Sequence, residues 1–310
     1  MNFRKTLPMF LLALFAIIIA SCSDDTTGPE EDNRTPGKPD SAMATTKNDS
    51  TILLKWKASI DEGDAAFAGY IVKMTGDDNT TALDTIPANY NPLQVTSLKN
   101  GVIYTFEVSA LFNNGNVSAS THISWSPAFR FTKSADGVSS IKLYETRSDL
   151  GSGIDAYDEE AKGPKTLTVA NGENWTLGLD TRNDKVIIAS PSEIDYNFNG
   201  TPGYTEISED IFVDISLNDT YDSQALNYDE EKLKTRKITL SDFTSSIQNG
   251  IIFILRTKEA GENDFHYAKI LVKRNPNGGW LFGEEPNRYV EMEISYQKKA
   301  NVPYAKYPIR

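Results

Sequence analysis

In "LKNGVIYTFEVSAL" (residues 98–111), Tyr104, Phe106, Val108 and Ala110 alternate with Thr105, Glu107 and Ser109. A period of two puts the apolar set on one face of a strand and the polar set on the other, as a half-buried strand requires. The "KNG" ahead of it has the chemistry of a turn. The same period recurs upstream. In "TILLKWKAS" Ile52, Leu54 and Trp56 share a face, and in "GYIVKMT" Tyr70, Val72 and Met74 do. Turn signals separate these runs ("DEGD", "GDDN", "NNGN"), and short strands at such spacing predict a β-sandwich.

Over residues 38–131 these features resemble a fibronectin type III domain. Trp56 stands at the family's second-strand tryptophan, Tyr70 lies on the third strand, and "LKNGVIYTFEVSAL" matches the signature "L…G..Y.F.V.A". The resemblance implies a tyrosine corner built from Leu98 and Tyr104, with the tyrosine hydroxyl bonded to backbone upstream. There is no Arg-Gly-Asp triplet, so adhesion does not carry over, and a spacer or platform is the expected role.

The chain has 310 residues, enough for about two domains, and a formal net charge of −12. That field repels phosphate backbones, so nucleic acid is not an expected partner. Beyond the N-terminus no stretch reaches the roughly 18 apolar residues that span a bilayer.

The N-terminus reads as an address. Arg4 and Lys5 precede an apolar run, residues 9–20, of signal-peptide length, which ends in small residues before Cys22, the only cysteine. "IASC" (residues 19–22) resembles the lipobox of bacterial lipoproteins. That resemblance implies a signal peptide at 1–21, cleavage before Cys22, lipid on its sulfur and amino group, and, with Ser23 following, an outer-membrane address; the face of that membrane stays open. A single cysteine at this position fits acylation better than disulfide chemistry. Residues 22–37 form an acidic, Pro- and Gly-rich flexible tether with no core-forming side chains.

Residues 138–300 read as a second β-rich domain with a minor helical element, so the fold class is mainly β. "IIFILRT" (251–257) is continuously apolar, as a central strand is, and "YVEMEISYQ" (289–297) alternates cleanly. "LSDFTSSIQNG" carries the signals of one short helix, with Ser241 as N-cap and Gly250 beyond its end. "FILRTKEAGENDFHYAKILVKRN" with "RYVEMEISYQ" resembles the C-terminal half of the HmuY-like family of outer-membrane lipoproteins, which includes haem binders. "NWTLGLD" around Trp175 matches the family's pattern only in part. Haem ligation needs axial nitrogen or sulfur donors. In residues 138–300 His266 and Met292 are the sole histidine and methionine, so the resemblance implies at most a His–Met site. Each also sits on an apolar strand face, where a packed core residue is the simpler reading.

"DYNFNGTPGYTE" (195–206) has the oxygen spacing of a calcium loop, with Asp195, Asn197, Asn199 and Glu206 as candidate ligands and Gly200 at the turn. Its competitor is a polar Asn-Gly turn between strands, and the lack of flanking helices favours that turn. No catalytic signature survives inspection. "GSGIDA" (151–156) lacks a following helix and reads as a loop, "SSIK" lacks companion motifs, and "DEE" (158–160) reads as solvated loop charge. The chain is therefore expected not to be an enzyme. The leading expectation is a lipid-anchored, cell-surface ligand-binding lipoprotein, with haem or calcium as candidate cofactors and a small molecule, protein or glycan as ligand. The alternative is a structural or assembly role in the envelope, through aromatics such as Trp280 and Phe282.

Overall fold

The structure is a computed structural model that describes residues 33–214, 230–243, 245–259 and 261–302. Cys22 and the signal segment lie outside the described residues. Seven strands build the first unit: β1 (Asp40–Asn48), β2 (Thr51–Lys57), β3 (Phe67–Gly76), β4 (Thr81–Ile86), β5 (Leu93–Val95), β6 (Tyr104–Phe112) and β7 (Thr121–Trp125). They form a three-stranded sheet, β1-β2-β5, and a four-stranded sheet, β4-β3-β6-β7. Burial along β6 alternates strictly, with Tyr104, Phe106, Val108, Ala110 and Phe112 all inside. The alternation seen in the sequence is therefore the inner face of a sandwich. Trp56 and Tyr70 meet edge to face at 5.2 Å across it, a geometry that aromatic quadrupoles favour. The Tyr104 hydroxyl accepts a hydrogen bond from the Lys99 N–H at 2.9 Å, which is the expected tyrosine corner.

Twelve strands follow: β8 (Phe129–Phe131), β9 (Ile141–Tyr144), β10 (Gly153–Asp158), β11 (Gly163–Leu167), β12 (Leu177–Asp180), β13 (Ile187–Ala189), β14 (Tyr204–Val213), β15 (Leu233–Thr235), β16 (Lys237–Thr239), β17 (Gly250–Lys258), β18 (His266–Lys273) and β19 (Tyr289–Gln297). A large sheet runs β15-β14-β17-β18-β19-β8, and β9 takes the other half of the β19 edge. A five-stranded sheet, β11-β10-β12-β13-β16, lies against it. The core between them holds Leu177, Ile188, Ile251, Phe253, Leu255, Ile270, Val272, Val290, Met292 and Ile294.

The continuous apolar run of β17 now has a cause. Ile251, Phe253 and Leu255 face the five-stranded sheet, while Ile252 and Ile254 join the core of the first sandwich. A strand covered on both faces cannot alternate. Phe129–Phe131, inside the range read as the first unit, pairs with Tyr296, Ser295 and Ile294 of β19, so the chain crosses between sandwiches directly after β7. Gln297 clamps this crossing. It is fully buried, and its Nε2 donates to Ser126 Oγ at 3.2 Å and to the Pro127 carbonyl at 3.0 Å.

Two expectations are corrected. The short helix in "LSDFTSSIQNG" is only a 3₁₀ turn at Leu240–Asp242, and the Ser241 hydroxyl accepts the Val186 N–H instead of capping. Leu240 and Ile247 are both buried in the second core. "GSGIDA" is not a loop throughout, because Gly153–Asp158 is strand β10.

Candidate functional site

At the end of the second sandwich where β10, β17, β18 and β19 meet, a cleft of about 170 Å³ opens. Asp155 and Tyr157 reach it from β10, Glu173 from the 3₁₀ segment Val169–Asn174, and Trp175 and Thr176 from just beyond. Glu259 and Glu262 lie in the β17–β18 turn, His266 opens β18, Tyr296 is the last residue but one of β19, and Lys298 follows the strand. A ladder of stacked rings forms its wall. Phe129 stacks on Tyr157 at 5.0 Å, Tyr157 on Tyr296 at 5.5 Å, and Tyr296 on His266 at 5.8 Å. Alternation along β10 and β19 places these rings on one side, and the β18–β19 register brings His266 beside them.

Gly153 permits the close packing at the base. A Cβ there would lie 1.9 Å from Trp175 Cε2, so only a hydrogen fits beneath the indole. Trp175 is pinned by its own Nε1–H to the Thr168 carbonyl at 3.1 Å, and Phe198 meets it edge-on at 5.0 Å.

The electrostatics are acidic. Five carboxylates (Asp155, Glu159, Glu173, Glu259, Glu262) line the cleft against Lys258 and Lys298. Burial, with Asp158 and Glu259 adding repulsion, pushes the Asp155 carboxyl up to about 6. Partial desolvation against the cleft wall, followed by Glu262 and Glu173, raises Glu259. Burial raises the Tyr296 phenol as well, and the charges of Asp155, Glu259, Glu159 and Glu262 push it the same way. Several polar groups are left over. Glu173 Oε2 and His266 Nδ1 are buried without a hydrogen-bond partner, and the Tyr296 hydroxyl makes no hydrogen bond among the described residues although only 8 % of the residue is exposed.

The second cleft, at the opposite end of β19, is self-neutralised. Glu145, 1 % exposed, binds Arg288 Nη2 at 2.7 Å, and Asp180 binds Arg182 at 2.8 Å.

The sequence-derived ligand sets are not assembled. His266 lines the acidic cleft, but Met292 pairs with Val272, six residues further along β18. At about 3.3 Å per residue they stand roughly 20 Å apart, so no His–Met haem pair forms. A cleft of about 170 Å³ is also below the roughly 300–1,000 Å³ typical of sites for drug-sized ligands.

The calcium spacing fails for a different reason. Asp195, Asn197 and Asn199 face solvent, because Tyr196 and Phe198 between them turn inward onto Trp175. Glu206 lies on β14, where it holds Arg256 and accepts the Tyr204 hydroxyl at 2.8 Å. No group of three or more His, Cys, Asp or Glu side chains suited to a metal is found among the described residues. Of the aromatics expected to contact partners, Trp280 is buried, 3 % exposed, while Phe282 stays half-buried and stacks on Tyr289. Of the cleft residues, the sequence offers only His266 as a candidate ligand, while Asp155 and Glu159 lie in segments read there as loops. Asp155, Glu173, Glu259 and Tyr296 come from four separate segments, and nothing in their spacing links them.

Residues 37–126 match the family model described as "Fibronectin type III domain". Solved structures similar to part of this chain include the third fibronectin III domain of human KIAA0343 protein (13 % identity, 34 % of this chain and 93 % of that one, TM-score 0.28). Others are the FN5 domain of Drosophila Lar (24 %, 30 % and 98 %, TM-score 0.23) and the fn3 domain of human collagen alpha-1(XX) chain (14 %, 33 % and 91 %, TM-score 0.26). No curated protein matches. Residues 37–126 are thus a fibronectin type III domain, packed by its inner core residues against a second, larger β-sandwich.

Proposed function

We propose that this chain is a non-catalytic binding protein of the bacterial cell envelope, held to the outer membrane by lipid on Cys22, with the fibronectin type III domain as platform and the cleft of the second sandwich as the ligand site. The single observation that carries the reading is a pair of buried polar atoms with no hydrogen-bond partner among the described residues, Glu173 Oε2 and His266 Nδ1, on one concave surface. Folded proteins pair nearly all such groups, and exceptions concentrate where a ligand completes them. The N-terminal reading rests on "IASC" and the tether after it. No helix among the described residues is long and apolar enough to cross a membrane, and a lipid-held body needs none.

Two measurements test the proposal. Intact-mass analysis of native protein is expected to show a chain beginning at a diacylated or triacylated Cys22; an unmodified thiol or a different cleavage site would remove the envelope address. Thermal-shift screening against amines, organic acids, glycans and envelope extracts is expected to show a ligand whose stabilisation is lost in His266→Ala. Silence across the whole panel would remove the binding role.

A further inference from the structure

We propose that the cleft beside Tyr296 is a receptor for an organic cation, an alkylammonium or guanidinium group of side-chain size. The proposal rests on the binding role above and specifies its ligand. Four observations converge on this chemistry.

Charge comes first. Asp155, Glu173, Glu259 and Glu262 line the cleft and none forms an ion pair among the described residues, whereas Glu159 is matched by Lys298 at 2.8 Å. Four unmatched acids around one concavity repel an anion and leave a neutral guest unable to relieve their mutual repulsion.

The cleft also contains a worked example of the recognition. Lys298 Nζ stands 5.3 Å from the centre of the Tyr157 ring while it holds Glu159, so an ammonium already sits between an aromatic face and a carboxylate at the rim. Deeper in, Tyr296 continues the same ring stack beside the acids that have no ion pair among the described residues.

Unsatisfied polar groups point inward as well. Tyr296 is more than nine-tenths buried, its hydroxyl makes no hydrogen bond among the described residues, and the charges that act on it are Asp155, Glu259, Glu159 and Glu262, all lining the cleft. An ammonium has three donors and a guanidinium five, which suits a phenol oxygen flanked by carboxylates.

Size excludes the other cations. About 170 Å³ is close to an engineered cavity of about 150 Å³ that admits benzene, far more than a bare ion fills. No three metal-ligating side chains converge among the described residues. The group recognised is therefore organic, and it comes either from a free amine or from a basic side chain of a peptide.

The test uses the full-length protein in detergent. Cadaverine and agmatine stand for free amines, and a blocked Gly-Lys-Gly peptide stands for a side chain. Glutarate and 1,6-hexanediol are the anionic and neutral controls. Binding is read by calorimetry and by Trp175 fluorescence at pH 7.5. Saturable 1:1 binding of at least one cation is expected, and preference for amine or peptide identifies the source. Glu262→Gln, at an exposed position, is expected to weaken binding about tenfold, and Tyr296→Phe several-fold with an unchanged melting temperature. Raising salt should weaken it further. Binding that is unchanged in Glu262→Gln, or glutarate or the diol binding at least as tightly as the cations, overturns the cation assignment and leaves the binding role standing. No binding of any cation up to about 10 mM overturns the assignment too; only a silent thermal-shift panel would also remove the binding role.

Discussion

Lys269 Nζ lies 5.9 Å from the centre of the Trp125 indole, and both side chains are buried where the first sandwich meets the large sheet. β18 turns Ala268, Ile270 and Val272 toward the second core and Tyr267 and Leu271 toward the first, and Lys269 shares the register of the latter pair. Burial, with the Arg130 charge second, holds its ammonium well below the usual 10.5. A lysine with a lowered folded value costs stability as pH falls from about 10.5 toward that value. Lys269→Met should therefore stabilise the protein by about 1–3 kcal/mol at pH 7. Chemical denaturation at pH 7 and pH 10 checks this, and the gap between the two proteins should narrow at the higher pH.

Asp155 has the opposite sign. Its carboxyl is raised to about 6 from 3.8, so the folded state holds its proton more tightly than the unfolded one. That contribution is complete below the unfolded value and is lost as pH rises through about 6. Asp155→Asn keeps an acceptor for the Tyr157 N–H, which Asp155 Oδ1 now receives at 2.9 Å. It should stabilise the protein at pH 7.5 by up to about 3 kcal/mol. Melting curves at pH 4 and pH 7.5 should show the gain only at the higher pH.

Glu145 and Arg288 join β9 to the start of β19. Arg288 Nε and Nη2 both reach the carboxylate, the Arg288 N–H adds a third bond at 3.0 Å, and Arg288 chiefly holds the Glu145 carboxyl below its usual range. A lowered carboxylate stabilises above its unfolded value, and the effect fades as pH falls through the folded one. Arg288→Met should cost about 2 kcal/mol at pH 7, less than a fully enclosed pair because the arginine is a third open to water. The loss should shrink below pH 4, as urea titrations can show.

Gly153→Ala should cost about 1–3 kcal/mol through overpacking against Trp175. It should also shift the Trp175 emission, since the indole has to move by more than an ångström. Urea denaturation with fluorescence detection measures both effects.

Tyr104→Phe removes the hydroxyl that accepts the Lys99 N–H. The expected loss is about 1 kcal/mol, read as a lower melting temperature with the β-sheet circular dichroism of the parent retained.

Local alternation was enough to read three of the seven strands of the first sandwich, β2, β3 and β6, because period-two burial is a steric property of each strand and needs no knowledge of its neighbours. Trp56, Tyr70 and Tyr104 stand where the pattern put them, and the tyrosine corner is present. Val290, Met292, Ile294 and Tyr296 face one core as their spacing required. Legibility ended where contact depends on sheet order. Whether Phe129–Phe131 closes the first unit or edges the second depends on its pairing with β19, 163 residues or more further along the chain, and no local period records that. His266 and Met292 were paired by residue type, but strand length separates them. Asp195 and Glu206 were paired by spacing, but inward-turning aromatics and the Arg256 bond hold them to other tasks. The acidic cleft was invisible for the same reason: Asp155, Glu173, Glu259 and Tyr296 meet through register and stacking, which are long-range consequences of burying both faces of β17 and β18 at once.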